Sequence, residues 1–313
     1  MIALLLIPLL LPWALPPLAR RTVERVRPDI ALVAITGAAA ALAVGVVACL
    51  GVLLLPLAVR VPQLAALLHL LQPLQAGPTA LAFTASAVAA GAIVVTLVAV
   101  ARGAVAEAGR LRAARRRVAG LPEVGGMCVL DDDRPDAFAL PGGPRGTGRI
   151  VVTAGMLRAL DIHEREALLG HERAHLAARH HLFLAVAALA GWCHPALAAV
   201  VPHVSFAVER AADETAARAC GDRRLAARAV GRAALAVSAR PAGPELPVLA
   251  AGGTTGPVPA RVRALLAQTP VRRVAPALLA MILLCSAAGV SSAAGAVWLH
   301  RGVEIAQGEH PSD

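Results

Sequence analysis

Four long apolar stretches constrain this chain more than any other feature, because each is close to the length that crosses a lipid bilayer. A bilayer core of about 30 Å needs roughly 20 apolar residues in helical conformation. The stretches that meet or approach this length are residues 2–19, 30–59, 80–101 and 275–299. Apolar residues make up 58% of the chain and charged residues 16%, which is outside the range of an ordinary soluble domain. The sequence therefore predicts a mainly α-helical membrane protein with about four transmembrane helices.

The arginines predict which parts of the chain face the cytoplasm. A dense basic block follows the third apolar stretch and includes Arg102, Arg110, Arg112, Arg115, Arg116 and Arg117. Arg272 and Arg273 precede the last stretch. Because positive charges remain on the cytoplasmic side of a membrane, we expect three regions in a multi-pass, bacterial-type plasma-membrane protein. They are an N-terminal membrane region with three helices (1–101), a cytoplasmic domain (102–274), and the last helix with a short external tail (275–313).

Composition also excludes some classes of partner. Aromatic residues are only 2% of the chain, and the arginines fall in blocks between apolar runs. A protein that reads nucleic acid would show a basic face with stacking aromatics, so we expect the bilayer as a partner and no direct nucleic-acid binding. The five cysteines are odd in number and irregularly spaced, which predicts reduced thiols.

The predicted cytoplasmic domain contains the only segments with the pattern of β-strands, near residues 127–130, 137–140 and 149–153. These segments predict a small sheet of two or three strands within an α+β domain. Asp161 and Glu164 have the spacing of a capping box, so we expect a helix from there to about His181. Further helices are predicted in 206–238 and from Pro259, separated by a Gly- and Pro-rich linker over 239–259.

The segment "LLGHERAHLAARHH" (168–181) carries the pattern that binds zinc in metalloproteases. His171 and His175 are four residues apart on the predicted helix, so both can reach one cation from the same face. Glu172 is placed to take a proton from a water molecule at the metal. Because the pattern has only three fixed positions, it also arises by chance. The alternative to a zinc site is a solvated helix that is rich in histidine.

Catalytic zinc usually has three protein ligands, so a third must come from elsewhere in the chain. The downstream possibilities are His180, His181, His194, His203 and Glu209. If the helix continues to His181, His180 and His181 point away from the pair. Glu209 and Asp213 are four apart on a predicted helix, so one could bind zinc while the other orients a histidine, or both could be surface acids beside arginines.

The segments "HERAHLAARHHL", "WCHP" and "ERAADETAARACGDRRLAARA" together resemble the BlaR/MecR group of integral membrane zinc metallopeptidases, which are related to HtpX-type proteases. The resemblance covers roughly residues 130–235, with Ala212 where the group has cysteine. It implies a zincin-like fold, a Zn²⁺ cofactor and a protein substrate. Only residues 300–313 follow the last predicted helix, so we do not expect the penicillin-binding sensor of that group.

The resemblance also implies roles for particular residues. It makes His171, His175 and Glu209 the zinc ligands, Glu172 the general base, and Asp213 a residue that orients a ligand. It further implies that one strand pairs with the substrate backbone. The residues expected in that role are Phe138, Ala139 and Leu140, or Ile150, Val151 and Val152.

The apolar segment 182–203 tests this assignment, because as one straight helix of about 33 Å it could cross the bilayer. Glu209 would then lie on the opposite side from His171 and His175. The segment is interrupted at its centre by Gly191 to Pro195, and proline disrupts a helix interior. We therefore predict a re-entrant apolar hairpin that returns the chain to the cytoplasmic face.

The sequence thus predicts a membrane-embedded zinc endopeptidase with its active site on the cytoplasmic face. Its substrate is a cytoplasmic or membrane protein, and the resemblance implies a transcriptional repressor in a signalling pathway. One alternative is an HtpX-like protease of membrane-protein quality control, which differs in the breadth of its substrates. Another is a non-catalytic membrane receptor or scaffold, in which His171 and Glu172 would be dispensable. The sequence gives no oligomeric state.

Overall fold

The computed structural model describes residues 7–58, 79–143, 148–239, 257–267, 276 and 278–290. The helices are α1 (Leu15–Arg25), α2 (Pro28–Ala58), α3 (Thr79–Val118), α4 (Ala154–Ala159), α5 (Ile162–Ala177), α6 (His180–Cys193), α7 (Pro195–Ala198), α8 (Val201–Cys220), α9 (Arg223–Ser238), α10 (Val258–Leu266) and α11 (Leu278–Val290). The strands are β1 (Glu123–Val124), β2 (Met127–Leu130), β3 (Ala137–Leu140) and β4 (Arg149–Thr153). Most of the predicted linker, and the end of the last predicted membrane helix with its tail, lie outside the described residues.

Two of the described helices are long and apolar enough to cross a membrane, over Pro28–Leu54 and Phe83–Val118. A third crossing would result only if α5 and α6, which meet at a bend of 59°, formed one broken segment. The valines Val88 and Val95 on α3 are 68% and 69% exposed, as expected for side chains that face lipid. The described residues therefore contain two or three candidate membrane spans, and the predicted count of four is not confirmed.

The first predicted membrane helix is not one continuous helix. A 3-10 turn at Leu11–Ala14 precedes α1, and prolines at positions 12, 16 and 17 explain the interruption, since proline removes a backbone donor and clashes with the preceding turn. The inner face of α1 is buried through Leu15, Ala19 and Val23. These side chains pack in a core shared with α2, α6, α8 and α11.

The basic segment after the third apolar stretch continues the same helix. α3 has 40 residues and is therefore about 60 Å long, which is twice the thickness of a bilayer core. Near its C-terminal end, Ala114 and Val118 pack against Phe138, Leu140 and Val151 of the sheet. One continuous helix thus joins the membrane region to the sheet.

The small sheet is confirmed, with the three predicted strands at their predicted positions and one more strand, β1. The strand order is β1-β2-β4-β3, with β2 parallel to β4 and the other pairs antiparallel. The face opposite α3 packs on α4 and α5 through Ile150, Val152, Met156 and Leu160. The sheet is therefore sandwiched between α3 and the helix that carries the histidine motif.

The predicted capping box at the start of α5 is present. The backbone N–H of Glu164 donates to Asp161 Oδ1 at 2.9 Å, and the N–H of Asp161 donates to Glu164 Oε2 at 3.0 Å. Glu164 is fully buried and also forms ion pairs with Arg228 and Arg232 of α9, at 3.2 Å each. One side chain therefore starts α5 and attaches α9 to it.

Replacing Glu164 with alanine is expected to destabilise the fold by about 1–3 kcal/mol, because a cap bond and two charged contacts are lost together. Glu164→Gln should cost less, since its amide oxygen can still accept from Asp161. Chemical denaturation of the detergent-solubilised protein measures both. Glu166→Ala, an exposed position on the same helix, is the control and should leave the free energy of unfolding unchanged.

The helix with the histidine motif ends earlier than predicted. α5 stops at Ala177, and Arg179 has a positive φ of 51°, so the expected continuation to His181 is wrong. A left-handed residue redirects the chain because a regular helix cannot pass through it. α6 then departs at the 59° bend.

The segment 182–203 reverses direction, as the sequence predicts. α6 ends at Cys193, His194 is extended, and its Nδ1 accepts from the backbone of Ala196 at the start of α7. α8 then returns to pack against α5 and α6. The apolar hairpin (residues 182–203) also rests on α3, where a Cβ at Gly103 would overlap the Trp192 indole.

Candidate active site

Two helices bring the candidate residues together. α5 contributes His171, Glu172 and His175, and α8, packed against it, contributes Glu209 and Asp213. All five are buried or nearly so. Because α8 follows the apolar hairpin, the return of the chain is what places its two carboxylates beside the histidines.

The three expected ligands form a compact cluster whose donor atoms lie within 4.8 Å of one another. His171 Nε2 lies 3.0 Å from His175 Nε2 and 3.5 Å from Glu209 Oε2, and Glu209 Oε1 lies 3.8 Å from His175 Nε2. Tetrahedral zinc with bonds of about 2.0–2.1 Å holds its ligand atoms about 3.3 Å apart. Two imidazoles and one carboxylate are a known donor set for catalytic zinc, so these residues fit the ion in both chemistry and spacing.

Asp213 contacts the outer nitrogen of a candidate ligand. Its Oδ1 lies 3.0 Å from His171 Nδ1, on the side of the ring opposite Glu209. A carboxylate in this position fixes the orientation of a metal-binding imidazole and increases its basicity. Burial alone would raise the pKa of Asp213, but hydrogen bonds from Arg261 outweigh burial and hold that pKa well below its usual range.

Arg261 of α10 completes the cluster and was not predicted from the sequence. Its Nε and Nη2 donate to the two oxygens of Asp213 at 2.8 and 2.6 Å, and its Nη1 lies 2.9 Å from Glu209 Oε2. Arg261 is only 5% exposed, so its guanidinium compensates the buried negative charges in place of water. Burial raises the pKa of Glu209, and contacts with His171 and Arg261 lower it by more, so Glu209 stays ionised.

Glu172 lies next to the cluster and is only 6% exposed. Burial raises its pKa to about 7, and the nearby carboxylates of Glu209 and Asp136 act in the same direction. A general base works best when its pKa is close to the working pH. Glu172 therefore has the environment of a group that accepts and returns a proton near neutrality.

His180 contacts the cluster, which corrects the expectation that it points away. Because the chain turns at Arg179, the His180 ring reaches back until its Nδ1 lies 3.2 Å from Nδ1 of His175. His180 is 3% exposed. It can accept the outer N–H of His175, just as Asp213 can for His171.

His180→Ala is expected to weaken zinc binding about 10-fold or more, because residues that orient a metal-binding histidine contribute 10- to 100-fold to affinity. Competition with a zinc chelator measures the change. His181→Ala is the matched control, since the neighbouring His181 lines the cleft but forms no hydrogen bond or ring contact with His175 among the described residues. Equal zinc affinity in the His180 variant and the wild type would show that His180 does not orient His175 for metal binding.

A cleft with a volume of about 320 Å³ opens over the cluster. It is lined by β3, through Phe138 and Ala139, and by α9, through Ala229, Val230 and Ala233. The remaining candidate histidines, His194 and His203, do not line this cleft. His194, which lies in the apolar hairpin, contacts the ring of Trp13 edge to face.

The sheet topology decides between the two strands considered for substrate pairing. β4 is hydrogen-bonded to β2 on one side and β3 on the other, so Ile150, Val151 and Val152 have no free backbone edge. No described strand pairs with the outer edge of β3. A central strand cannot be extended by a peptide, so the second alternative is wrong and the candidate is β3, with Phe138, Ala139 and Leu140.

A model of peptidase family M48 matches residues 103–199. The match covers about a third of the chain, includes His171, Glu172 and His175, and ends before Glu209. No curated protein and no solved structure gives a significant match to the chain. The match does not single out the BlaR/MecR group. Together with the compact cluster and the apolar helices, it supports the M48 family of zinc metallopeptidases for this region and a membrane-associated metallopeptidase for the protein.

Proposed function

We propose that the protein is a membrane-embedded zinc endopeptidase that cuts a cytoplasmic or membrane protein. The observation that carries the proposal is the cluster of His171, His175 and Glu209 beside the buried Glu172. This cluster lies in a cleft bordered by the free edge of a strand. A receptor or scaffold would need neither a buried, charge-compensated ligand set nor a base with a pKa near neutrality.

Different residues of the cleft have different roles in peptide hydrolysis. His171, His175 and Glu209 would hold zinc, which supplies a Lewis acid for the carbonyl oxygen and an acidified water. Glu172 accepts a proton from the attacking water on a carboxylate oxygen and donates it to the departing amide nitrogen. The backbone of β3 aligns the substrate as an added strand.

The cytoplasmic orientation of the active site is part of this proposal. It is supported by the arginines at the C-terminal end of α3, where Arg115 donates to the carbonyl oxygens of Pro141 and Gly142. Basic residues next to a membrane helix favour the cytoplasmic side, and here they are attached to the sheet of the cleft. The apolar hairpin then enters the same face of the bilayer and leaves by it.

A transcriptional repressor is the proposed substrate, on the strength of the resemblance to BlaR/MecR proteases. The test compares new protein N-termini in cells that produce the wild type or Glu172→Gln. One or a few cleavage sites in a repressor that disappear with Glu172→Gln would support the proposal. Many sites in unrelated membrane proteins would indicate quality control instead. Identical N-termini in both strains would contradict endopeptidase function.

A further inference from the structure

Asp136 is a charged residue of the cleft that the proposed reaction does not use. It immediately precedes β3 and lines the cleft together with Glu172. Its backbone is fixed to β4, because its N–H donates to Thr153 Oγ1 at 2.9 Å and the N–H of Thr153 donates to its carbonyl at 3.0 Å. The backbone of Asp136 therefore has a defined position at the start of the free edge.

The carboxylate of Asp136 has no ion-pair partner among the described residues. Arg134, two residues earlier, binds Asp132 through Nε and Nη2 at 3.2 Å each, and Arg158 pairs with Asp133. The neighbouring acids are thus already matched with arginines. Asp131 is also without an ion pair but is exposed to water, so Asp136 is the partly buried acid of this loop that has none among the described residues.

Apart from Glu172, the other charged groups of the cleft compensate one another. Arg261 contacts Asp213 and Glu209, and both of these contact His171. The wall formed by α9 is apolar, with Ala229, Val230 and Ala233. Glu172 also has no ion pair among the described residues, but its carboxylate is the base of the proposed reaction. The other uncompensated carboxylate that a cation would meet in the cleft is that of Asp136.

Because Asp136 is partly buried, a cationic partner would stabilise its carboxylate more than it would an exposed one. Desolvation, with a smaller contribution from the nearby Asp132, raises the pKa of Asp136 to about 6, although a hydrogen bond from the backbone of Ala137 and the charge of Arg134 oppose the shift. The group is still mainly ionised at pH 7, and an ionised group out of water gains more from a charged hydrogen bond than an exposed one. An uncompensated charge also discriminates against substrates that cannot neutralise it.

We propose that Asp136 is a specificity-determining residue that binds a lysine or arginine side chain of the substrate, close to the bond that is cut. The inference rests on the proposed endopeptidase function and adds a substrate class to it. A peptide added to β3 presents alternate side chains to the cleft. The preferred segment is therefore extended and aliphatic, to fit the wall of α9, with one basic residue beside Asp136.

The test uses decapeptides of Ala, Val and Leu with acetylated N-termini and amidated C-termini, so that no terminal amine competes. One position at a time carries Lys, Gln or Glu. Wild type, Asp136→Asn, Asp136→Lys and Asp131→Asn are compared in detergent with zinc, and kcat and KM are measured for each peptide by mass spectrometry. Asp131 is an exposed acid near the same loop that does not line the cleft, which makes it the matched control.

At one position, the wild type should cleave the Lys peptide about 10-fold better than the Gln peptide in kcat/KM. Asp136→Asn should abolish that preference, Asp136→Lys should favour Glu, and Asp131→Asn should keep the wild-type preference. Equal cleavage of Lys and Gln peptides by the wild type, or a preference that survives Asp136→Asn, would overturn the inference. Absence of any cleavage by the wild type would refute the endopeptidase function itself, so the two failures are distinguishable.

Discussion

Glu172→Gln is expected to lower the rate of peptide hydrolysis by about 10²- to 10⁴-fold, the range that a positioned general base contributes. Glutamine keeps the size and polarity of the side chain but cannot take a proton. Glu172 is not among the three clustered ligand residues, so the variant should bind as much zinc as the wild type. Digestion of an unfolded protein such as β-casein in detergent, followed over time on gels, measures the rate.

Glu166→Gln is the control for this experiment, because Glu166 is an exposed glutamate on the same helix. It should leave the rate of hydrolysis unchanged. If Glu172→Gln retained a rate within a few-fold of the wild type, another group would have to act as the base. Loss of activity together with loss of zinc would instead mean that Glu172 holds the metal site together.

Arg261→Leu is expected to destabilise the protein by about 3–5 kcal/mol, because removing one partner of a buried ion pair leaves uncompensated charge behind. Arg261 is the cation that contacts both Asp213 and Glu209, and its side chain is 6% exposed. Without it, two neighbouring carboxylates share a buried site. The predicted result is a melting temperature lower by about 10 °C, together with weaker zinc binding.

Thermal unfolding followed by tryptophan fluorescence measures the first effect, and chelator competition measures the second. Arg263→Leu is the matched control, since Arg263 lies two residues further along α10, is exposed, and its side chain donates to Pro259 of its own helix but forms no ion pair within the described part of the chain. Arg261→Lys should be more stable than Arg261→Leu, but lysine cannot form the bidentate contact with Asp213. An Arg261→Leu variant as stable as the control would refute the compensating role of the guanidinium.

Features with a local cause were predictable from the sequence. The capping box at Asp161 and Glu164 depends on residues three apart, and the three predicted strands depend on short apolar patterns between turns. The pairing of His171 with His175 follows from helical periodicity. In each case the residues that decide the structure are neighbours in the chain.

The return of the chain through the apolar hairpin was predictable for a different reason. A carboxylate on α8 can meet the histidines of α5 only if the intervening segment does not cross the membrane. The proline break in 182–203 supplied a local signal for the same conclusion. The contacts of Glu209 with His171 and His175 at 3.5 and 3.8 Å agree with that reasoning.

Features that depend on distant residues or on one backbone angle were missed. Arg261 is 48 residues from Asp213, and its helix carries a second arginine, so no local pattern distinguishes the one that is buried. The positive φ of Arg179 ends α5 without a glycine or proline to mark the place, and the error for His180 followed from it. The strand β1 has two residues, which is too short for any alternation to be visible.

Zinc content per chain in wild type and Glu209→Ala tests the central claim most directly. The account predicts about one zinc per wild-type chain after purification in detergent, and loss of most of it in Glu209→Ala, because a catalytic site needs its third protein ligand. Glu166→Ala should keep the wild-type content. A metal-free wild type, or a Glu209→Ala variant that keeps its zinc, would contradict the assignment of His171, His175 and Glu209 as the metal site.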